Sequence, residues 1–368
     1  MRTFRLLIAI CLLASWTLSS AAPSNPHNRK KARIAATAGP AYATRKDAMQ
    51  AANVIAARQG LNRKSVRRAL AQARFIPQIA KAILPPTVGV TKNWQMYHSR
   101  FIEPIRIQAG VRFWQENRAT LERAEKETGV PAEIIVGIIG VETIYGQHMG
   151  NYRVIDALAT LAFDFPPGHP RAAERAPFFR AELEEFLSLT LRSGIDPLSP
   201  RGSYAGAMGL PQFMPSSWSR FAIDYDGDGK IDLFRSPADA IGSVANYFKA
   251  FNWQPGLPTH YPVRFDSDKL ELDALLVPDI LPTFSVASFM AKGAVLEGVA
   301  LQHKGPLALV ELHNGDAPPS YLAGTDNLYV ITRYNWSSYY AMAVIDLGQA
   351  VNAALNPIKP LMAPKSPD

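Results

Sequence analysis

The sequence predicts a mainly α fold: a large helical body carrying a smaller mixed α/β module toward its C-terminal end. Three observations carry that reading. Apolar residues recur at spacings of three and four from Asp47 to Leu84 (Met49, Val54, Ile55, Val66, Leu70, Ile76), and helical patterning returns from about Gln108 to Thr128. Residues 131–145 are almost continuously apolar between a proline that suits a first helical turn and a glycine that suits a stop. After Gln254 the pattern changes, with Pro255, Pro258 and Pro262 followed by short apolar runs broken at Gly293, Gly298 and Gly305. The 24 Gly and 29 Pro among 368 residues are near average, which excludes a collagen-like or low-complexity chain and leaves length for two or three domains.

Residues 1–22 read as a secretory signal peptide: Arg2 and Arg5, an apolar run from Leu6 to about Leu18 too short to span a bilayer, and Ser20-Ala21-Ala22 before Pro23. Cleavage is expected after Ala22. A lipoprotein signal at Cys11 is disfavoured because Ile10 stands where a small residue belongs. Cys11 is the only cysteine, so the exported product is expected to lack disulfides, a lipid anchor and a transmembrane anchor. The net charge of +8 falls to about +6 without Arg2 and Arg5, a balance that suits nucleic acid, anionic lipid or cell-wall polymer without choosing among them.

Residues 23–45 are rich in Pro, Asn, Ala, Lys and Arg and read as a flexible linker. The helical body is then expected over 46–130, a catalytic core with an acidic loop over 131–258, and a smaller β-containing module over 259–335. Within that module Leu328-Tyr329-Val330-Ile331-Thr332 has strand composition. Residues 336–356 return to the body as a short helix from about Ala341, and 357–368 form a loose tail.

Glu142 is the most informative residue. It lies in the last turn of a helix whose Ile134, Ile135, Val136, Ile138, Ile139 and Val141 leave no polar face. Burial and the negative end of the helix dipole both disfavour its ionised form and raise its pKa toward the range useful to a general acid. Glu133, in the first turn, is favoured by the same dipole and needs no special role. Downstream, Ser203-Tyr-Ala-Gly-Ala-Met-Gly-Leu-Pro-Gln-Phe-Met-Pro-Ser-Ser-Trp218 combines glycines that admit close backbone approach with short polar groups and aromatic surfaces. Those are the parts of a sugar-binding cleft.

Gly140-Val-Glu-Thr-Ile-Tyr-Gly146, Asp156-Ala-Leu-Ala-Thr-Leu-Ala162, Ser203–Gly209, Gln212-Phe-Met-Pro-Ser-Ser217 and Ala240-Ile-Gly-Ser-Val-Ala-Asn-Tyr-Phe248 together resemble the lytic murein transglycosylase B family, from about Tyr97 to Gly348. The resemblance implies a lysozyme-like helical catalytic domain, located in the periplasm, that cleaves the MurNAc–GlcNAc β-1,4 bond of peptidoglycan without hydrolysis and leaves 1,6-anhydro-MurNAc ends. It implies that Glu142 is the single catalytic carboxylate, acid then base. Ser203 and Gln212 fall on polar sugar contacts, and Tyr97, Tyr247, Tyr334 and Tyr340 on aromatic positions of the cleft. Arg175, or equally Arg171, falls on an arginine that meets the muramyl peptide or lactyl carboxylate. The implied partners are peptidoglycan glycan strands, with cell-wall synthesis or divisome proteins as further candidates; no nucleic acid and no organic cofactor are expected.

Asp224-Tyr-Asp-Gly-Asp-Gly-Lys-Ile-Asp-Leu-Phe-Arg235 follows the calcium-loop template D-x-D-x-D-G. Asp224, Asp226 and Asp228 supply carboxylates, Lys230 a carbonyl, and Gly229 the sharp turn. Arg235 stands where a bidentate glutamate is usual. Asp239, beyond it, is the candidate to close the site through a longer loop, as the resemblance also suggests, and Asp232 is a candidate to reach the ion through water. A structural Ca2+ is expected, with a hydrated, metal-free turn as the alternative.

Two other functions compete. A hydrolytic muramidase needs a second carboxylate, for which Asp156 and Asp164 are the candidates, although Asp156 reads better as a helix cap. A non-catalytic peptidoglycan-binding protein is opposed by the intact Glu142 and polar loop.

Overall fold

The computed structural model describes residues 38–85 and 92–357. The expected leader, and the tail beyond Pro357, lie outside the described residues. These hold fifteen α-helices, two short 3-10 turns and three small antiparallel sheets. The chain divides into two compact units, one built from 92–145 and 248–357, the other from 38–85 and 146–247.

In the first unit, Glu103 caps the helix Pro104–Glu116 by accepting the Ile105 and Arg106 amides at 2.8 Å each. The helix Arg118–Thr128 follows after Asn117 and stops at Gly129, whose φ is +70°. The helix Ala132–Thr143 buries nine of its twelve residues, as its lack of a polar face requires. It packs on Ser338–Leu355 with backbones in contact: a Cβ at Gly137 would collide with the Val344 carbonyl oxygen, and one at Gly348 with the Glu133 carbonyl oxygen. Hydrogen is the only side chain that seam admits.

The same unit contains the small mixed module. His260–Pro262, Ala317–Gly324 and Ala308–Asn314 form a three-stranded sheet in that spatial order, and Arg264–Phe265 pairs with Ala294–Val295. Tyr261, Leu275, Phe289, Leu307 and Leu309 lie in its core. The segment with strand composition is a correction: Asp326–Thr332 is a helix. Thr325 caps it through a 3.2 Å bond from the Asn327 amide, and its β-branched residues are buried, so packing overrides propensity.

In the second unit, the expected linker ends early. Residues 38–45 pack against the body, with Tyr42 only 2% exposed and its hydroxyl donating to Asp164 Oδ2 at 2.5 Å. The Gly39 and Tyr42 amides also donate to the carbonyls of Phe75 and Ala73, at 2.8 and 3.0 Å. The helical stretch 47–84 is broken into Lys46–Gln59, Arg63–Gln72 and Pro77–Ala82. Gly60 at φ +63° ends the first, and the Asn62 side chain caps the second. Val154–Phe163, Ala172–Arg192 and Pro215–Phe221 complete the core of this unit. Asp156 is not an N-cap: it sits inside the first turn, where its carboxylate accepts from Arg153 at 2.7 Å twice and from the Arg74 amide at 2.9 Å. No helix among the described residues is long and apolar enough to cross a membrane.

Candidate active site

The glycine seam sets the geometry around Glu142. The Tyr340 hydroxyl, from the first turn of the facing helix, donates to Glu142 Oε1 at 2.6 Å. Among the described residues Glu142 Oε2 has no hydrogen-bond partner. Burial pushes the Glu142 carboxyl up to about 7, against the smaller downward pull of the Tyr340 hydrogen bond. Tyr340 itself is held well above its ordinary value by burial and by the carboxylate beside it. The result is a half-buried acid that can hold a proton near neutrality with one oxygen left for chemistry.

Tyr334 stacks on Tyr340 with centroids 6.4 Å apart and 14° between planes. Tyr97 belongs to an aromatic group with Trp94, Phe101 and Tyr339, its centroids 6.3, 5.1 and 5.7 Å from theirs. Asn335, which sequence reasoning did not single out, is 9% exposed, and its buried Oδ1 has no hydrogen-bond partner among the described residues. An unmet buried acceptor beside Tyr334 fits a donor supplied by a ligand or a water. The signal that could have exposed it is its place among Tyr334, Trp336, Tyr339 and Tyr340.

In the second unit, Ser203 and Gln212 share one loop. Ser203 Oγ accepts the Ala205 and Ala207 amides at 3.2 and 3.0 Å, which fills its acceptor side and leaves its proton to donate. Gln212 does the opposite. Its Nε2 donates to the Gly209 and Met149 carbonyls at 2.9 and 3.2 Å, so Oε1 remains to accept. Both are 9% exposed, and the Gln212 backbone adopts φ +51°. Tyr247 is 2% exposed and packs between Phe213 and Phe221, supporting this loop from behind. Arg171 is engaged by Glu174 at 2.7 Å, whereas Arg175 lies over the Phe179 ring at 5.5 Å.

The acidic loop gathers Asp224, Asp226 and Asp239, with carboxylate oxygens within 4.8 Å of one another; Asp228 is outside that group and accepts the Lys230 amide at 2.8 Å. Asp239 is 1% exposed and closes the loop, accepting the amides of Tyr225 and Asp232 at 2.8 Å each. Asp232 accepts the Phe234 and Arg235 amides at 2.9 and 3.0 Å. Among the described residues no Lys or Arg forms an ion pair with the three clustered aspartates. Oxygen donors of this kind, brought together without a cationic partner, fit a hard divalent ion.

The chain matches the transglycosylase SLT domain family over residues 44–349. It is 38% identical over 335 residues to membrane-bound lytic murein transglycosylase B of Escherichia coli (strain K12), covering 85% of this chain and 84% of that protein. The E. coli lytic transglycosylase SLT35 in complex with calcium superposes with a TM-score of 0.75 at 39% identity, over 86% of this chain and 96% of that one. The soluble lytic transglycosylase SltB1 of Pseudomonas aeruginosa gives 0.75 at 41% identity, over 84% and 99%. The lysozyme-like helical body and these likenesses agree: the chain belongs to the transglycosylase SLT domain family, among the lytic transglycosylases of peptidoglycan.

Proposed function

We propose that this enzyme cleaves the MurNAc–GlcNAc bond with Glu142 acting first as acid and then as base. The observation that carries the mechanism is a protonatable carboxyl held at about 7 with one oxygen unengaged. That oxygen gives its proton to the leaving glycosidic oxygen. As carboxylate, Glu142 then takes the proton of the muramyl C6 hydroxyl, which closes the 1,6-anhydro ring; tethering the hydroxyl to the reacting sugar lets it outcompete water. Ser203 as donor and Gln212 as acceptor complement the carbonyl and N–H of an acetamido group. Arg171, held by Glu174, and Arg175, lying over the Phe179 ring, are equal candidates for an acidic group on the muramyl side.

The hydrolytic alternative needs a second carboxylate, and among the described residues both of its candidates are engaged. Asp156 is spent on Arg153 and the Arg74 amide, and Asp164 on Tyr42 and Arg45, the last at 2.8 Å. A calcium ion held by Asp224, Asp226 and Asp239 would neutralise the loop and contribute stability rather than chemistry. The leader supports export to the periplasm.

Mass spectrometry of products from purified peptidoglycan tests the reaction. Wild-type products should carry 1,6-anhydromuramyl ends, one water lighter than hydrolytic ends. Glu142→Gln should bind glycan and lose turnover by at least about 100-fold. Reducing ends from the wild type would establish a muramidase, and turnover unchanged by the substitution would remove Glu142 from the mechanism.

A further inference from the structure

Glu182 is a buried carboxyl for which the reaction above has no use. It lies in the helix Ala172–Arg192 at 2% exposure, on the same stripe as Phe179, Leu183, Phe186 and Leu187. Both oxygens are engaged by one residue: Oε2 accepts the Ser216 amide at 2.9 Å and Oε1 accepts the Ser216 hydroxyl at 2.6 Å. Ser216 is in the first turn of Pro215–Phe221, a helix whose own cap position, Met214, offers no side-chain hydrogen bond. Pro215 has no amide hydrogen, so the Ser216 N–H is the first unmet donor of that helix. A distant carboxylate therefore performs the capping that the local sequence omits.

The clamp stands next to the sugar-contact loop. Met208 and Phe213 exchange two backbone hydrogen bonds, at 2.8 and 3.0 Å, closing a turn in which Gln212 is held at φ +51°. A glutamine in that left-handed region is strained and persists only where the surroundings fix both ends of the turn. The Met208–Phe213 pair fixes the loop at Phe213, and Glu182 fixes the chain three residues later.

We propose that Glu182 is a positioning residue for Gln212, holding the start of helix Pro215–Phe221 so that the Gln212 amide presents its oxygen to the substrate. The inference rests on Gln212 being a substrate contact. Glu182 does not act on substrate itself: its oxygens are spent and it is sealed from solvent.

The test measures KM and kcat on glycan strands from purified peptidoglycan for Glu182→Met, Glu182→Gln, Gln212→Ala and the Glu182→Met/Gln212→Ala double variant. Methionine fills the space and removes both bonds, and is expected to raise KM about 10- to 100-fold while kcat changes less, the cost of a contact displaced by a fraction of an ångström to one ångström. Glutamine keeps an oxygen for the Ser216 amide and should restore most of the loss. In the Gln212→Ala background Glu182→Met should add no further change. If Glu182→Met does not fold, Ser216→Ala, which loses only the hydroxyl bond, should raise KM by a smaller factor that likewise vanishes in the Gln212→Ala background. Additive losses overturn the role of Glu182. A Gln212→Ala variant with wild-type KM overturns the Gln212 reading first, and the proposal with it.

Discussion

The Tyr340 hydroxyl reaches Glu142 across 198 residues of sequence and donates to its carboxylate at 2.6 Å. A donor on the ionised form holds the pKa down, against the burial that pushes it up to about 7. As general acid Glu142 must be protonated, so kcat/KM should fall as pH rises through this value. Tyr340→Phe removes the donor and keeps the ring, and the alkaline limb of the profile should move to higher pH. A limb that stays in place or moves down would mean the hydroxyl does not favour the carboxylate.

The raised acid has a second consequence. Through the window from 4.5 to about 7 the folded enzyme keeps a proton on Glu142 that the unfolded chain has released, so stability falls as pH rises through that window and levels off above it. The upper bound is about 3 kcal/mol, less where the half-buried side chain still meets water. Glu142→Gln should melt higher than wild type at pH 8, with the gain shrinking toward pH 5. Equal melting temperatures across that range would show that the acid is not strained by its site.

Gln212 offers a test of polarity rather than size. Glu at this position keeps the shape but turns a donor that feeds two carbonyls into a third acceptor facing them. Gln212→Glu should destabilise the enzyme by about 1–3 kcal/mol and cost more activity than Gln212→Ala. Thermal melts and kcat/KM measured side by side decide it, and a glutamate variant that outperforms alanine would show that donation to the two carbonyls is not needed.

For the acidic loop, calcium at about 100 times its dissociation constant should add about 2.7 kcal/mol to unfolding stability. Asp224→Ala should abolish the calcium-dependent rise in melting temperature. An identical rise in the variant would place the ion elsewhere. Leu233, one residue past Asp232, accepts the Leu210 amide at 2.8 Å, so the loop also braces the backbone beside Gln212.

What could be read in the sequence was local. Glu142 stood out because a carboxylate in the last turn interrupts an apolar helix, and the Gly129 stop and the Asp-rich loop are short-range chemistry. Tyr340 could be placed among the cleft aromatics by resemblance, yet its hydrogen bond to Glu142 depends on the register of two helices far apart in sequence. Asp326–Thr332 was misleading because its composition favours a strand while the Thr325 cap and buried surroundings make a helix. Glu182 carried a legible signal, a carboxylate on a buried stripe, but its partner in another helix did not.

Gly137 and Gly348 make the position of the acid a property of the main chain. Two hydrogen atoms fix how closely the helix of Glu142 approaches that of Tyr340. Any bulkier residue at either place would pry the phenol from the carboxylate while leaving both untouched, so the enzyme can be disarmed from behind its reactive face. An engineer seeking a new glycan preference can exchange the rings that meet solvent, but must inherit those two hydrogens intact.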